Sequence, residues 1–597
     1  MDPASNRPSS REESRRAAAS ASLWPGMRSQ SVRAMLLILV IGFVADFLLF
    51  NHFGIYEDDY LFTLIPANWS ALHLYYNAVY AIQSWPQGRP GWWLINPTLT
   101  WLCAQTGTLG TFYLLLFAIS SLSAFCIYRF LRVYVAFGPA LCGALFFVLN
   151  PADASGAIIM HMTNYFIVLL MMLAGLKIYQ GRYRTLSVLM AALVLVTYEP
   201  YFLLFGVFPI WDLLSKRGWS WKGLARYWAA LAAVFVGVML LRRHLGDDRA
   251  SQMIASLGDV LHKAALAPWI GAWTNFHIDV SRPWDALTAG TPYTWAIVVI
   301  SAAVLFLGVR PTERGREPGT PESDGLRREA LLFVIGWIFV LVPYLYRWNE
   351  DYYPPVVTLG RLSAMHIPSG FGFSIVIASV LAAMSRAPRW LARIASFATV
   401  AYFSLLVAVG VQIQQTQMIR DWRLQKQFWQ RVIDMTRDAG DGVTIIVDSD
   451  PPGGVPSEPR PTTEAFPASW MVSYSSVFFQ SIFSYPTSWK QPPAVYSSFL
   501  GMKTRTLPDG SVQLETPPWR TPAEWPVLKD GSFIWLEWEG MNFVRVTRPL
   551  TIGGRVLHPK PPGPPQQGIG TRPAYHLLFP APEKTWKSIA DGLNYPP

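Results

Sequence analysis

The chain of 597 residues is 52% hydrophobic and 15% charged, well below the roughly 25% charged residues of soluble domains, which excludes an ordinary water-soluble globular protein. Its net charge of +11 is carried by short Arg/Lys clusters between apolar runs, a pattern of membrane-topology signals that excludes a nucleic-acid-binding face. Cys103, Cys126 and Cys142 lie in or beside apolar stretches without a Cys/His cluster, which excludes structural zinc and a disulfide framework.

Residues 1–33 are polar and rich in Ser, Ala and Arg, and read as a disordered cytoplasmic N-terminus. The apolar run Ala34 to Phe53 matches the roughly 20 residues that a bilayer crossing needs. It lacks a clear cleavage site and reads as a retained first helix. Asp46 lies within that run, where a carboxylate costs ~2.5–3.5 kcal/mol on insertion scales, so it is a functional candidate unless the interface hydrates it. Further apolar runs lie near 109–128, 138–150, 163–179, 186–199, 201–214, 226–243, 292–309, 329–346, 367–384 and 394–414, about eleven spans in all. Basic clusters follow every second run: Arg129 and Arg132, then Lys177 to Arg184, Lys216 to Arg226, Arg310 to Arg328, and Arg386 to Arg393. The positive-inside rule then puts the N-terminus in the cytoplasm and the C-terminus outside a cell (inner) membrane.

This topology makes residues 34–414 a multi-pass transmembrane module with a long first external loop, 54–108. The Trp/Tyr density of that loop predicts one or two amphipathic helices at the interface. The Asn68-Trp69-Ser70 sequon reads as a chance match. Residues 415–597 read as an external, Pro-rich α+β domain. It begins with an amphipathic helix carrying Trp422, Phe428, Val432 and Met435 on one face. A buried strand in "GVTIIVDSD", a loop at "PPGGVPSEPRP" and a strand pair at "SFIWLEWEG" and "NFVRVTR" follow.

The same topology gathers polar residues at the outer helix ends. The first loop carries "YEDDY", with Asp58 and Asp59 between tyrosines, and Arg89 in "QGRPGWW". The second has Asp153, His161 and Asn164, the third Glu199 in "TYEPY", and later turns carry Arg347, Glu350, Asp351 and Arg361. Asp153 and Glu199 could be simple interface polarity, and Arg361 a snorkelling side chain. His161 reads as a satisfied polar residue, and Asp247-Asp248 as ion-paired locally among Arg242, Arg243 and Arg249. Two adjacent carboxylates flanked by aromatics need a stronger reason. Glycosyl transfer supplies one: a carboxylate takes the proton of an attacking hydroxyl, cations hold a departing phosphate, and aromatic faces stack on sugars.

An apolar first helix, an acidic pair heading a long external loop, "GRP" late in it and "TYEP" in a short outer turn resemble the type-C glycosyltransferases. The resemblance is to their bacterial, polyprenyl-phosphate-sugar-dependent branch and covers roughly residues 34–414. It implies transfer of a sugar from a polyprenyl-phosphate donor to a glycan, lipid or protein acceptor outside the membrane. It also implies that Asp58 or Asp59 is the catalytic base and that Arg89 or Arg361 contacts the donor phosphate. Asp153 is the one second-loop acid that matches the family's metal- or acceptor-binding position, and Glu199 belongs to the substrate-binding set. No acid pair occurs in the second loop, so dependence on a divalent metal stays open. An envelope polysaccharide polymerase or ligase would instead rely on the arginines. A transporter or flippase would favour repeated halves and helices broken at the midplane, and no halves repeat in the sequence.

Overall fold

The computed structural model describes residues 29–181, 184–214, 220–245, 257–288, 290–308, 322–346, 355–357, 360–448, 475–497, 503–515, 525–539 and 542–580. The expectations for residues 1–28, for the loop at 451–461, for Asp247, Asp248, Arg347, Glu350 and Asp351, and for the Arg361 side chain lie outside the described residues.

Among the described residues, seven helices are long and apolar enough to cross a membrane: Ser29–His52, Leu109–Leu131, Met162–Gln180, Trp221–His244, Gly325–Leu345, Leu362–Met384 and Arg389–Met435. The chain is thus a polytopic helical protein. Phe137–Val148, Leu186–Thr197 and Pro292–Gly308 are apolar helices of 10–17 residues, shorter than a perpendicular crossing of roughly 20 residues. The run at 201–214 is interrupted. Phe202–Val207 gives way to a tight turn at Phe208–Ile210 before Trp211–Leu214, because Pro209 has no N–H for an α-helical bond. Seven runs therefore have the length and composition of a crossing where about eleven were expected.

The basic ends gather at one end of the bundle. Arg129 and Arg132 donate to Ser31 and Gln30 at the start of the first helix, at 3.3 and 3.2 Å. Arg33 donates to the Leu307 carbonyl and Arg328 to that of Val133, while Arg386 pairs with Glu329 at 2.7 Å. The acidic turns follow from the opposite end of the first helix.

The loop after that helix folds into Asp59–Phe62, Leu64–Ala67, Ala71–Ser84 and Pro90–Ala104. The last two are the helices expected from its aromatic density. Ser70 caps the Ala71 helix through its side chain, and Pro90 opens the next at its first turn.

The Arg389–Met435 helix is 47 residues long, about 70 Å at the standard rise. Its apolar half has the composition of a crossing, and its polar half, Met418–Met435, continues as an arm. Trp422, Gln425, Phe428, Trp429 and Val432 are buried along one face of that arm, as the 3.6-residue period requires; Met435 is half-buried at its end. After it, Thr444–Asp448 lies in a four-stranded sheet between the parallel strands Ala494–Ser497 and Phe533–Glu539. Asn542–Arg545 pairs antiparallel at the edge with Phe533–Glu539, the two strands expected there. Arg545 also grips Asp438 at the end of the arm, at 2.5 and 2.9 Å. Asn68 of the sequon donates to the Ser481 carbonyl at 2.7 Å and accepts from the Ala574 amide at 3.2 Å. The sequon therefore serves as a docking contact between the first loop and the C-terminal region.

Candidate active site

"NHFGIYEDDY" ends the first helix with a turn clamped onto the arm. Tyr56 donates from its hydroxyl to the Met418 carbonyl at 2.9 Å. Tyr60 donates to Gln425 Oε1 at 2.7 Å and accepts from Trp429 Nε1 at 3.1 Å. Gly54 lies flat under Trp422: a Cβ there would come within 1.8 Å of the indole, so no other residue fits. The tyrosines that flank the acids are thus buried anchors, both at most 1% exposed, and they fix the direction of the turn between them.

Three non-glycine residues have left-handed backbone among the described residues: Glu57 (φ 46°), Trp85 (φ 45°) and Gln87 (φ 55°). Glu57 immediately precedes Asp58-Asp59, and the other two lie four and two residues before Arg89. Such conformations cost of order 1–3 kcal/mol each and cluster where a site demands a particular backbone. Two of the turns expected to carry the site are strained in this way; among the described residues, those of Asp153 and Glu199 are not.

The two aspartates have different surroundings. Asp59 is fully buried, and its carboxylate accepts from the backbone amides of Ile159 at 2.9 Å and Met160 at 3.0 Å. It ties the first loop to the second, across 100 residues of sequence. Burial lifts its carboxyl to about 8, outweighing the amide bonds that favour the anion, with the Asp58 charge adding to the rise. The folded state then holds a proton that the unfolded chain has lost between about pH 4 and about pH 8, so stability is expected to fall as pH rises through that window. Thermal unfolding midpoints across the range should decline in the wild type and decline less in Asp59→Asn. Asp58 keeps a small exposure of 7%, and its carbonyl accepts from Leu61 and Phe62 to start the short helix.

The second constellation is an ion triad. Glu199 is buried, and Arg89 meets both its oxygens, with Nε at 3.0 and 2.9 Å and Nη2 at 2.8 Å. Arg242 reaches the same carboxylate at 2.7 Å and donates to the carbonyls of Gly88 and Leu195. Burial alone would raise the Glu199 carboxyl; the two guanidiniums overcome it and hold the group at about 2. Two guanidiniums on one carboxylate leave a net positive charge. Arg89 stacks on the Tyr198 ring at 4.7 Å and retains 20% of its side-chain exposure, so it is the cation that a ligand can reach. The expected pairing of Arg242 with Asp247 and Asp248 lies outside the described residues; the partner the structure shows for Arg242 is the buried Glu199 carboxylate, one helix away. The indole nitrogens of Trp92 and Trp93, just beyond Arg89, are buried donors with no hydrogen-bond partner among the described residues.

Packing joins these groups. Phe62, one turn after Asp59, meets Trp92 edge-on at 4.7 Å. A Cβ on Gly91 would come within 2.4 Å of Thr197 Oγ1, so the start of the Pro90–Ala104 helix lies against the turn that carries Glu199. Asp58, Asp59, Arg89 and Glu199 therefore belong to one connected structure. Asp153 is placed differently: its Oδ1 accepts from the Ser155 amide at 2.8 Å and from the Ser155 hydroxyl. Burial raises its carboxyl, against those bonds and nearby Arg282. Asp153 lines a cavity with Asp46 that Asp58 and Asp59 do not line. His161 is buried with Nδ1 3.0 Å from Ser155 Oγ. Among the described residues, no group of three or more His, Cys, Asp or Glu is arranged to hold a metal ion. No protein-family model matches the chain, and no curated protein matches it.

Proposed function

We propose that the chain is a membrane glycosyltransferase of the type-C kind, transferring a sugar from a polyprenyl-phosphate donor to an envelope acceptor on the outer face. The observation that carries this reading is the coincidence of backbone strain with chemistry: the left-handed residues Glu57, Trp85 and Gln87 hold the turns of Asp58-Asp59 and Arg89. The gathering of Arg129, Arg132, Arg328 and Arg386 at the other end supports a cytoplasmic N-terminus and an outer site.

In this mechanism Asp58 is the base. Both oxygens of Asp59 are engaged by backbone amides, which makes Asp59 the positioning residue that joins the first two loops. The acceptor hydroxyl gives its proton to Asp58 as its oxygen bonds to the anomeric carbon, and the bond from that carbon to the phosphate oxygen breaks. The polyprenyl phosphate leaves with the bonding electrons, and Arg89 stabilises its charge in a water-poor setting. Glu199 keeps the Arg89 fork in place, and Arg242 offsets the carboxylate's charge so that Arg89 retains cationic character.

The net positive triad also favours a second reading, a polymerase or ligase of polyprenyl-linked glycans in which Arg89 acts and the aspartates are dispensable. Purified protein incubated with a panel of labelled polyprenyl-phosphate sugars is expected to release polyprenyl phosphate in an acceptor-dependent way. Turnover of polyprenyl-diphosphate-linked oligosaccharides alone would favour the second reading.

A further inference from the structure

Away from the turns just described, the first helix and the last long helix each contain a widened, π-helical turn, at Phe43–Phe47 and Val411–Gln417. Such turns leave backbone carbonyls without their usual partners and recur at functional sites. Gln415 takes up the loss in the first helix: its Nε2 donates to the Val44 and Ala45 carbonyls at 2.8 and 2.7 Å, and its Oε1 accepts from the Leu49 amide at 3.2 Å. The same bulge carries Asp46 to the bare backbone of Gly410, where a Cβ would come within 2.5 Å of Asp46 Oδ1. This placement is specific, since any side chain at position 410 would push the carboxylate away.

Asp46 faces a cavity of about 50 Å³ lined also by Asn150, Asp153, Gly156 and Gln414. That space suits an ion with a small number of waters and is far below the roughly 300 Å³ at which organic-ligand pockets begin. Gln414 is 6% exposed, yet its Oε1 has no hydrogen-bond partner among the described residues. Asn150 is 8% exposed; its Oδ1 is fixed by the Ala152 amide at 3.1 Å, and its Nδ2 has no partner among the described residues. Arg282 donates to the Pro151 carbonyl of this lining and divides its field among Asp153, Asp279 and Asp285. Carboxylate and amide oxygens around a small space are the donors that hard cations prefer.

We propose that this cavity binds one hard cation, alkali or alkaline-earth, through the carboxylates of Asp46 and Asp153 and the Oε1 of Gln414, with Asn150 Nδ2 orienting a bound water. The cation links the first helix, the second outer loop and the last long helix, the helix whose arm anchors Tyr56 and Tyr60. This assignment does not depend on the proposed sugar transfer.

The full-length protein, purified in choline chloride with chelator and then desalted, is titrated with NaCl, MgCl2 or CaCl2. Ionic strength is held constant with choline while the thermal unfolding midpoint is followed. The expected result is a saturable rise with at least one of these cations, whose half-saturation weakens by about tenfold or more in Asp46→Asn and in Gln414→Leu. The sodium and divalent arms identify the ion. If Asp46→Asn does not fold, Gln414→Leu, which removes no charge, carries the comparison. No cation-specific rise in the wild type, or a rise with unchanged half-saturation in the variants, would overturn the site.

Discussion

Replacing Glu199 with Gln is expected to destabilise the protein by about 3–5 kcal/mol, the usual loss when one partner of a buried ion pair is removed. The size follows from what remains: among the described residues, Arg242, 3% exposed, keeps the carbonyls of Gly88 and Leu195 as partners, and Arg89 loses the carboxylate that bonds its fork. The reverse removal is milder. Arg242→Met leaves Arg89 and Glu199 paired, so its unfolding midpoint should lie between those of the wild type and Glu199→Gln. The sign with pH is fixed by the lowered carboxyl. The stabilisation is present above the ordinary glutamate value and is lost as pH falls toward about 2. A midpoint for Glu199→Gln equal to the wild type would show that the triad carries no strain-bearing load.

Asp58→Asn is expected to lower turnover by about 100- to 10,000-fold, the range for losing a positioned general base. KM should change little, because the amide keeps the size of the carboxylate and the anchors Tyr56 and Tyr60 stay in place. Asp59→Asn has a different expected signature. It weakens the link to Ile159 and Met160, so its lower activity should accompany a changed unfolding midpoint and a flatter dependence of that midpoint on pH. If Asp59→Asn lost turnover with unaltered stability while Asp58→Asn stayed active, the roles of the pair would be reversed.

Parts of this arrangement were legible in the chain and parts were not. The acidic pair, the "GRP" arginine and "TYEP" were readable because they interrupt apolar or aromatic surroundings with charge that needs a reason. The arm was readable from periodicity, since Trp422, Phe428 and Val432 share one buried helix face. The strand at Thr444–Asp448 was readable from its run of β-branched residues. The pairing of Arg242 with Glu199 was not, because their 43-residue separation follows from how two helices meet, and no local pattern encodes it. Nor were the π-helical turns, which have no residue signature; Asp46 read as a lone acid in an apolar run. Gly54 was also silent, since its need for no side chain comes from Trp422, far away in sequence. A glycine under an indole is visible only once the arm is folded back on the first loop.

The most direct measurement is sugar transfer in sealed vesicles of known sidedness, with labelled donor supplied from one side. Product is expected when donor and acceptor meet the face bearing Asp58 and Arg89, the face opposite the Arg129–Arg328 end, and at least a hundredfold less with Asp58→Asn. Product formed only from the Arg129–Arg328 side, or formed equally well by Asp58→Asn, would contradict this expectation.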